Sequence, residues 1–100
     1  MEYRVISPAT VTLSERAHVG RGALIYPCNA VLGESDIGEG CVLYPGNVVQ
    51  NSEAGKNCEL TSSVLEGAKV GAGCKVGAFA HLRPGEQVGE KRRIWNFVRI

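Results

Sequence analysis

The stretch "IGEGCVLYPGNVVQNSEAG", Ile37 to Gly55, decides the fold. Ile37, Leu43 and Val49 follow one another at intervals of six, and the next aliphatic residue, Ala54, comes after only five. Six is neither the 3.6-residue period of a helix nor the plain alternation of a strand. It suits a short strand plus a corner, with one aliphatic side chain pointing inward per unit. Outward from this stretch the rhythm holds in both directions. Leu13, Val19, Ile25 and Val31 precede it at sixes, and Leu60, Val76, Leu82, Val88, Ile94 and Ile100 follow it. The units that lead to Ala54, Leu65 and Val70 are one residue short. Each carries a small residue in fourth place, namely Ser52, Ser63 and Ala68, as a tightened corner would require.

Three such units make a triangular coil of about 18 residues, and stacked coils make a parallel β-helix with strands about 4.8 Å apart. Every third unit should then share a face. One face carries Val19, Ile37, Ala54, Val70 and Val88, followed in every case by glycine: Gly20, Gly38, Gly55, Gly71 and Gly89. Glycine makes up only 13 of 100 residues, so five of five signals a position that disfavours a side chain. A second face carries Ile25, Leu43, Leu60, Val76 and Ile94, with Tyr-Pro recurring at Tyr26-Pro27 and Tyr44-Pro45. The third carries Leu13, Val31, Val49, Leu65, Leu82 and Ile100. We call these the glycine, tyrosine and arginine faces, the last after Arg83.

The rest of the composition narrows the function. One hundred residues are expected to form a single domain, 1–100. The net charge of +1 offers no field to attract nucleic acid or an anionic membrane. No apolar run approaches a membrane span and the start lacks a secretion signal, so a cytoplasmic protein is expected. Cys28, Cys41, Cys58 and Cys74 have no C-x-x-C spacing. Cys41, Cys58 and Cys74 share one unit position in successive coils, as small buried hydrophobes commonly do, and no metal is expected there. Asn29 and Asn47 should form an amide ladder, and Phe79 and Phe97 should stack. Arg92 falls in the column of Ala23, Cys41, Cys58 and Cys74. Its charge must therefore turn outward, or the coil must distort. Open solenoid ends and a slim core lead us to expect an oligomer.

The motifs "IGEGCVLYPGNVVQNSEAG", "KVGAFAHLRPG" and "NFVRI" resemble the hexapeptide-repeat acyltransferases. Within them the chain is most similar to the C-terminal domain of the bifunctional UDP-N-acetylglucosamine pyrophosphorylase/glucosamine-1-phosphate N-acetyltransferases. The resemblance implies an all-β fold: a left-handed parallel β-helix solenoid of hexapeptide repeats, about five coils long. It implies a homotrimer with sites between subunits. It also makes Arg83, in the "LRPG" motif, a contact for a sugar phosphate. A guanidinium fits that role through its planar fork of donors.

His81 would be polar lining beside Arg83. The plainer reading of both is a surface without a ligand. His18 and His81 lie on different faces, about four coils apart, and cannot share a zinc within one interface. The resemblance places the catalytic lysine, the histidine base and the acetyl-CoA coils after Ile100. It also sets Arg99 and Trp95 where the family has glutamate and glycine. "EKRR", Glu90 to Arg93, reads as a solvated cap. The expectation is a non-catalytic structural, oligomerising or sugar-phosphate-binding module without cofactor. The alternative is an amino-sugar-phosphate N-acetyltransferase using acetyl-CoA and completed by a partner or a longer chain.

Overall fold

A computed structural model of the protein describes residues 3–100. It is a rod, 32 × 20 × 20 Å, built of short parallel strands in three sheets. The glycine face pairs His18–Val19, Asp36–Ile37, Glu53–Ala54, Lys69–Val70 and Gln87–Val88. The arginine face pairs Thr12–Leu13, Ala30–Leu32, Val48–Gln50, Val64–Glu66 and His81–Leu82. The tyrosine face runs from Leu24–Ile25 through Val42–Leu43, Glu59–Leu60 and Lys75–Val76 to Arg93–Ile94. The registers match the predicted faces residue for residue, including across the three short units. The leading residues form the core: Ile25, Val31, Ile37, Leu43, Val49, Leu60, Leu65 and Leu82 are wholly buried. Their neighbours in each strand point outward, as strand pleating demands.

Each corner adds an inward column of its own. Ala23, Cys41, Cys58 and Cys74 fill one, and Ser35, Ser52 and Ala68 fill the second. Asn29, Asn47, Ser63 and Ala80 fill the third. The amide ladder is present there. The Asn47 backbone N–H and side-chain amide both donate to Asn29 Oδ1 at 3.0 Å, and Asn47 Oδ1 accepts from the Ser63 N–H at 3.0 Å. Ser63 Oγ in turn accepts from the Ala80 N–H. Among the described residues, no buried side-chain nitrogen or oxygen lacks a partner. This is what permits amides in so thin a core. The short corners keep one left-handed residue, Asn51, Ser62 or Gly67, and one inward residue, Ser52, Ser63 or Ala68. What they drop is a single residue of the surface turn.

The recurrent glycines have a steric cause. A Cβ on Gly38 would lie 2.7 Å from the Gly55 backbone, and one on Gly55 would lie 2.6 Å from the Ala72 nitrogen. Each coil there rests directly on the backbone of the next.

The two ends differ from the expectation. Before Leu13 a further strand, Arg4–Val5, joins the tyrosine face beside Leu24–Ile25. A 3₁₀ turn, Pro8–Thr10, replaces the usual corner and hides the period. At the other end the sequence suggested a cap, yet the chain continues as a regular coil. Arg92 is exposed, its backbone N–H donates to Cys74 Sγ at 3.4 Å, and Arg93–Ile94 stays in register. The charge turns outward and the coil keeps its shape. Among the described residues no helix is long and apolar enough to cross a membrane.

Candidate functional site

Arg83 stands where the arginine face turns its last corner. Leu82 is anchored in the core, so His81 and Arg83 on either side of it face out. Pairing of Val64–Leu65 with His81–Leu82 brings Glu66 up to this pair. His81 Nε2 meets Glu66 Oε1 at 2.5 Å, with both side chains about 40% exposed (38% and 42%). A parallel bridge sets Arg99 beside His81, and the Arg83 N–H donates to the Ile100 carbonyl at 2.8 Å. One outer surface therefore carries His81, Arg83 and Arg99, with the Glu66 carboxylate on His81. Glu66 engages His81. Arg83 is exposed and makes no ion pair among the described residues. Such an arrangement can receive a small anion: the guanidinium supplies a planar pair of donors, and the tethered imidazole lines one side. Glu66 was not singled out in the sequence. It lies two residues past Val64, the register partner of His81, so the two side chains meet diagonally across neighbouring strands.

The remaining candidates separate from this surface. His18 lies on the glycine face, in register with Asp36, beside Arg16, Glu34 and Glu53. Among the described residues no three His, Cys, Asp or Glu side chains are grouped to hold a metal. Cys41, Cys58 and Cys74 form the expected column as free thiols. Each donates to the carbonyl of a glycine on the glycine face, Gly55, Gly71 and Gly89, at 3.0, 3.1 and 2.9 Å. Interaction with its neighbour Cys58 draws the Cys41 thiol down to about 7, against the opposing effect of burial. That same partnership, then burial, raises Cys58, and burial raises Cys74. Phe79 and Phe97 do stack, with centroids 5.4 Å apart, but outside the core, 62% and 77% exposed. Both take left-handed backbone (φ 64° and 62°), which turns their rings away from the interior.

The structure adds one feature that sequence reasoning passed over. On the tyrosine face, Trp95 stands beside a notch of about 380 Å³. Gly77 and Ala78 line it, together with Glu59, Thr61, Lys75, Arg93 and Asn96.

No family model matches the chain. It is 38% identical over 96 residues to the bifunctional protein GlmU of Shouchella clausii and 43% identical over 93 residues to GlmU of Prochlorococcus marinus. These alignments take in 96% and 93% of this chain and 21% of each relative. The chain thus spans about a fifth of the length of the curated relatives it matches. It is a hexapeptide-repeat β-helix homologous to the C-terminal region of GlmU. The fold of this GlmU-related chain also matches a crystal structure of a GDP-perosamine N-acetyltransferase mutant from Caulobacter crescentus, in complex with CoA and GDP-perosamine. That match has a TM-score of 0.73 at 24% identity, over 90% of this chain and 47% of the other.

Proposed function

We propose that this GlmU-related β-helix is a non-catalytic, trimeric module that holds an amino-sugar phosphate at Arg83. The observation that carries the reading is the pairing at the last corner. Glu66 engages His81, while the exposed guanidinium two residues on is left for an external anion. His81 and Arg99 add positive or donor character around it. The partly buried outer row Ala30, Val48 and Val64, in register along the same face, gives an apolar seam that leads to the site. A seam of this kind suits contact between subunits, so that a neighbour would wall the site.

A titration with glucosamine 1-phosphate tests the module. Saturable binding is expected, weakened about ten- to a hundredfold in Arg83→Ala, the range set by losing charged hydrogen bonds. The solution mass should be three times the 10.7 kDa of the chain. Binding that ignores Arg83→Ala would sink the assignment of the site.

A second reading, N-acetyl transfer from acetyl-CoA, is favoured by the relatives and by the CoA-bound N-acetyltransferase of like fold. In that case another stretch of chain or a partner supplies the base. Release of free thiol from acetyl-CoA in the presence of glucosamine 1-phosphate separates the two readings: the module alone should release none.

A further inference from the structure

The outer column of the tyrosine face runs Tyr26, Tyr44, Thr61, Gly77, Trp95, one residue per coil. Where aromatic residues occupy successive coils of this column they stack: Tyr26 and Tyr44 have centroids 5.3 Å apart and planes 22° apart. Beside Trp95 the column has no ring, because the next residue down is Gly77. The backbone does not impose that glycine. It lacks a positive φ, and a Cβ there would meet the Thr61 side chain, with Thr61 Cβ at 2.8 Å, rather than a neighbouring main chain. Gly77 therefore leaves the column without a ring beside Trp95, with the Thr61 side chain packed where its Cβ would be, in contrast to the glycines of the glycine face.

Around that space the polar groups are of mixed kind. Lys75 and Arg93 lie in register on the strands just before it, and Glu59 is the next residue along the same row. Arg93 sits over the Trp95 ring with its guanidinium carbon 5.1 Å from the centroid. Asn96 Oδ1 accepts from the Ala78 N–H, and its amide nitrogen adds two donors to the notch lining. Thr61 contributes a hydroxyl.

We propose that this notch is a binding site for a nucleoside phosphate, whose base lies over Gly77 and stacks on Trp95 as Tyr26 stacks on Tyr44. Three features select this class. An exposed indole, 66% accessible, offers a face to any base. Asn96 and Thr61 can hydrogen-bond a heteroaromatic edge. Lys75 and Arg93 outnumber Glu59 and supply the cations for a phosphate, with Arg93 exchanging its contact on the indole for phosphate oxygens. The notch volume suits a single mononucleotide. The site lies on a different face from Arg83 and does not depend on the function proposed there.

Trp95 is the chain's single tryptophan, so its fluorescence reports on this site alone. Uridine and adenosine 5′-monophosphates should quench it saturably. Uridine, which lacks the phosphate, and glucose 1-phosphate, which lacks the base, should each bind at least tenfold more weakly. Lys75→Gln, a surface change, should weaken the nucleotides but leave uridine unaltered. Gly77→Phe combined with Thr61→Gly, which removes the Cβ that a side chain at position 77 would strike, fills the column with the chain's own ring and should abolish quenching, while Arg83→Ala should leave it intact. No saturable quenching by nucleotides overturns the proposal, as does an equal response to glucose 1-phosphate. Retention of binding in Gly77→Phe/Thr61→Gly, read by equilibrium dialysis, overturns it as well.

Discussion

Asn47 shows how single residues hold this thin core. Its amide donates to the Tyr44 and Leu60 carbonyls at 2.6 and 3.0 Å as well as to Asn29, and its oxygen serves the Ser63 N–H. It is 1% exposed, so no water can replace what a truncation removes. Asn47→Ala should destabilise the fold by about 2–4 kcal/mol in urea unfolding, the cost of several buried polar groups left unpaired. Asn47→Ser should cost less, because Ser63 already fills the equivalent place one coil on. The spacing of Asn29 and Asn47 made this ladder readable in the sequence. The pairing of His81 with Glu66 was hidden, because it runs diagonally across the strands: the residue in register with His81 is Val64. Phe79 and Phe97 were legible as a pair but not as a surface pair, because left-handed backbone at an aromatic residue has no sequence signal of its own.

At the scale of the element, strand and corner obey different rules. The strands are two or three residues long and tolerate any outward residue, while the corners carry the steric demands. Two glycines separate those demands experimentally. Gly55→Ala places a methyl 2.6 Å from the Ala72 nitrogen, between two coils that cannot part without breaking the Gly55 N–H bond to Val70. A loss of about 2–4 kcal/mol is expected. Gly85→Ala meets nothing within 4 Å and pays only for its φ of +88°, about 1 kcal/mol. Chemical denaturation of the two variants should rank them in that order, and equal losses would mean that strain, not contact, governs the corners. The glycines following each aliphatic of one face announced this contact in the sequence. The turn before Leu13 did not announce itself. Pro8–Thr10 winds as a 3₁₀ turn and stretches the interval from Val5 to Leu13 to eight residues, so the strand Arg4–Val5 carries no repeat signal.

Seen whole, the molecule is a stack in which each coil contacts only the coils above and below, so it is expected to open by steps from its ends. The thiol column runs along this axis, one sulfur per coil, each bonded to a carbonyl of the following coil. Cys28 sits outside at a corner, while Cys41, Cys58 and Cys74 are wholly buried. In a thiol-labelling time course Cys28 should react at once. The other three should react at separate rates, each set by the opening of its own coil, and a single shared rate would instead mean that the rod unfolds as one unit. The cysteines are thus graduations along the solenoid, from which the progress of its unwinding can be read coil by coil.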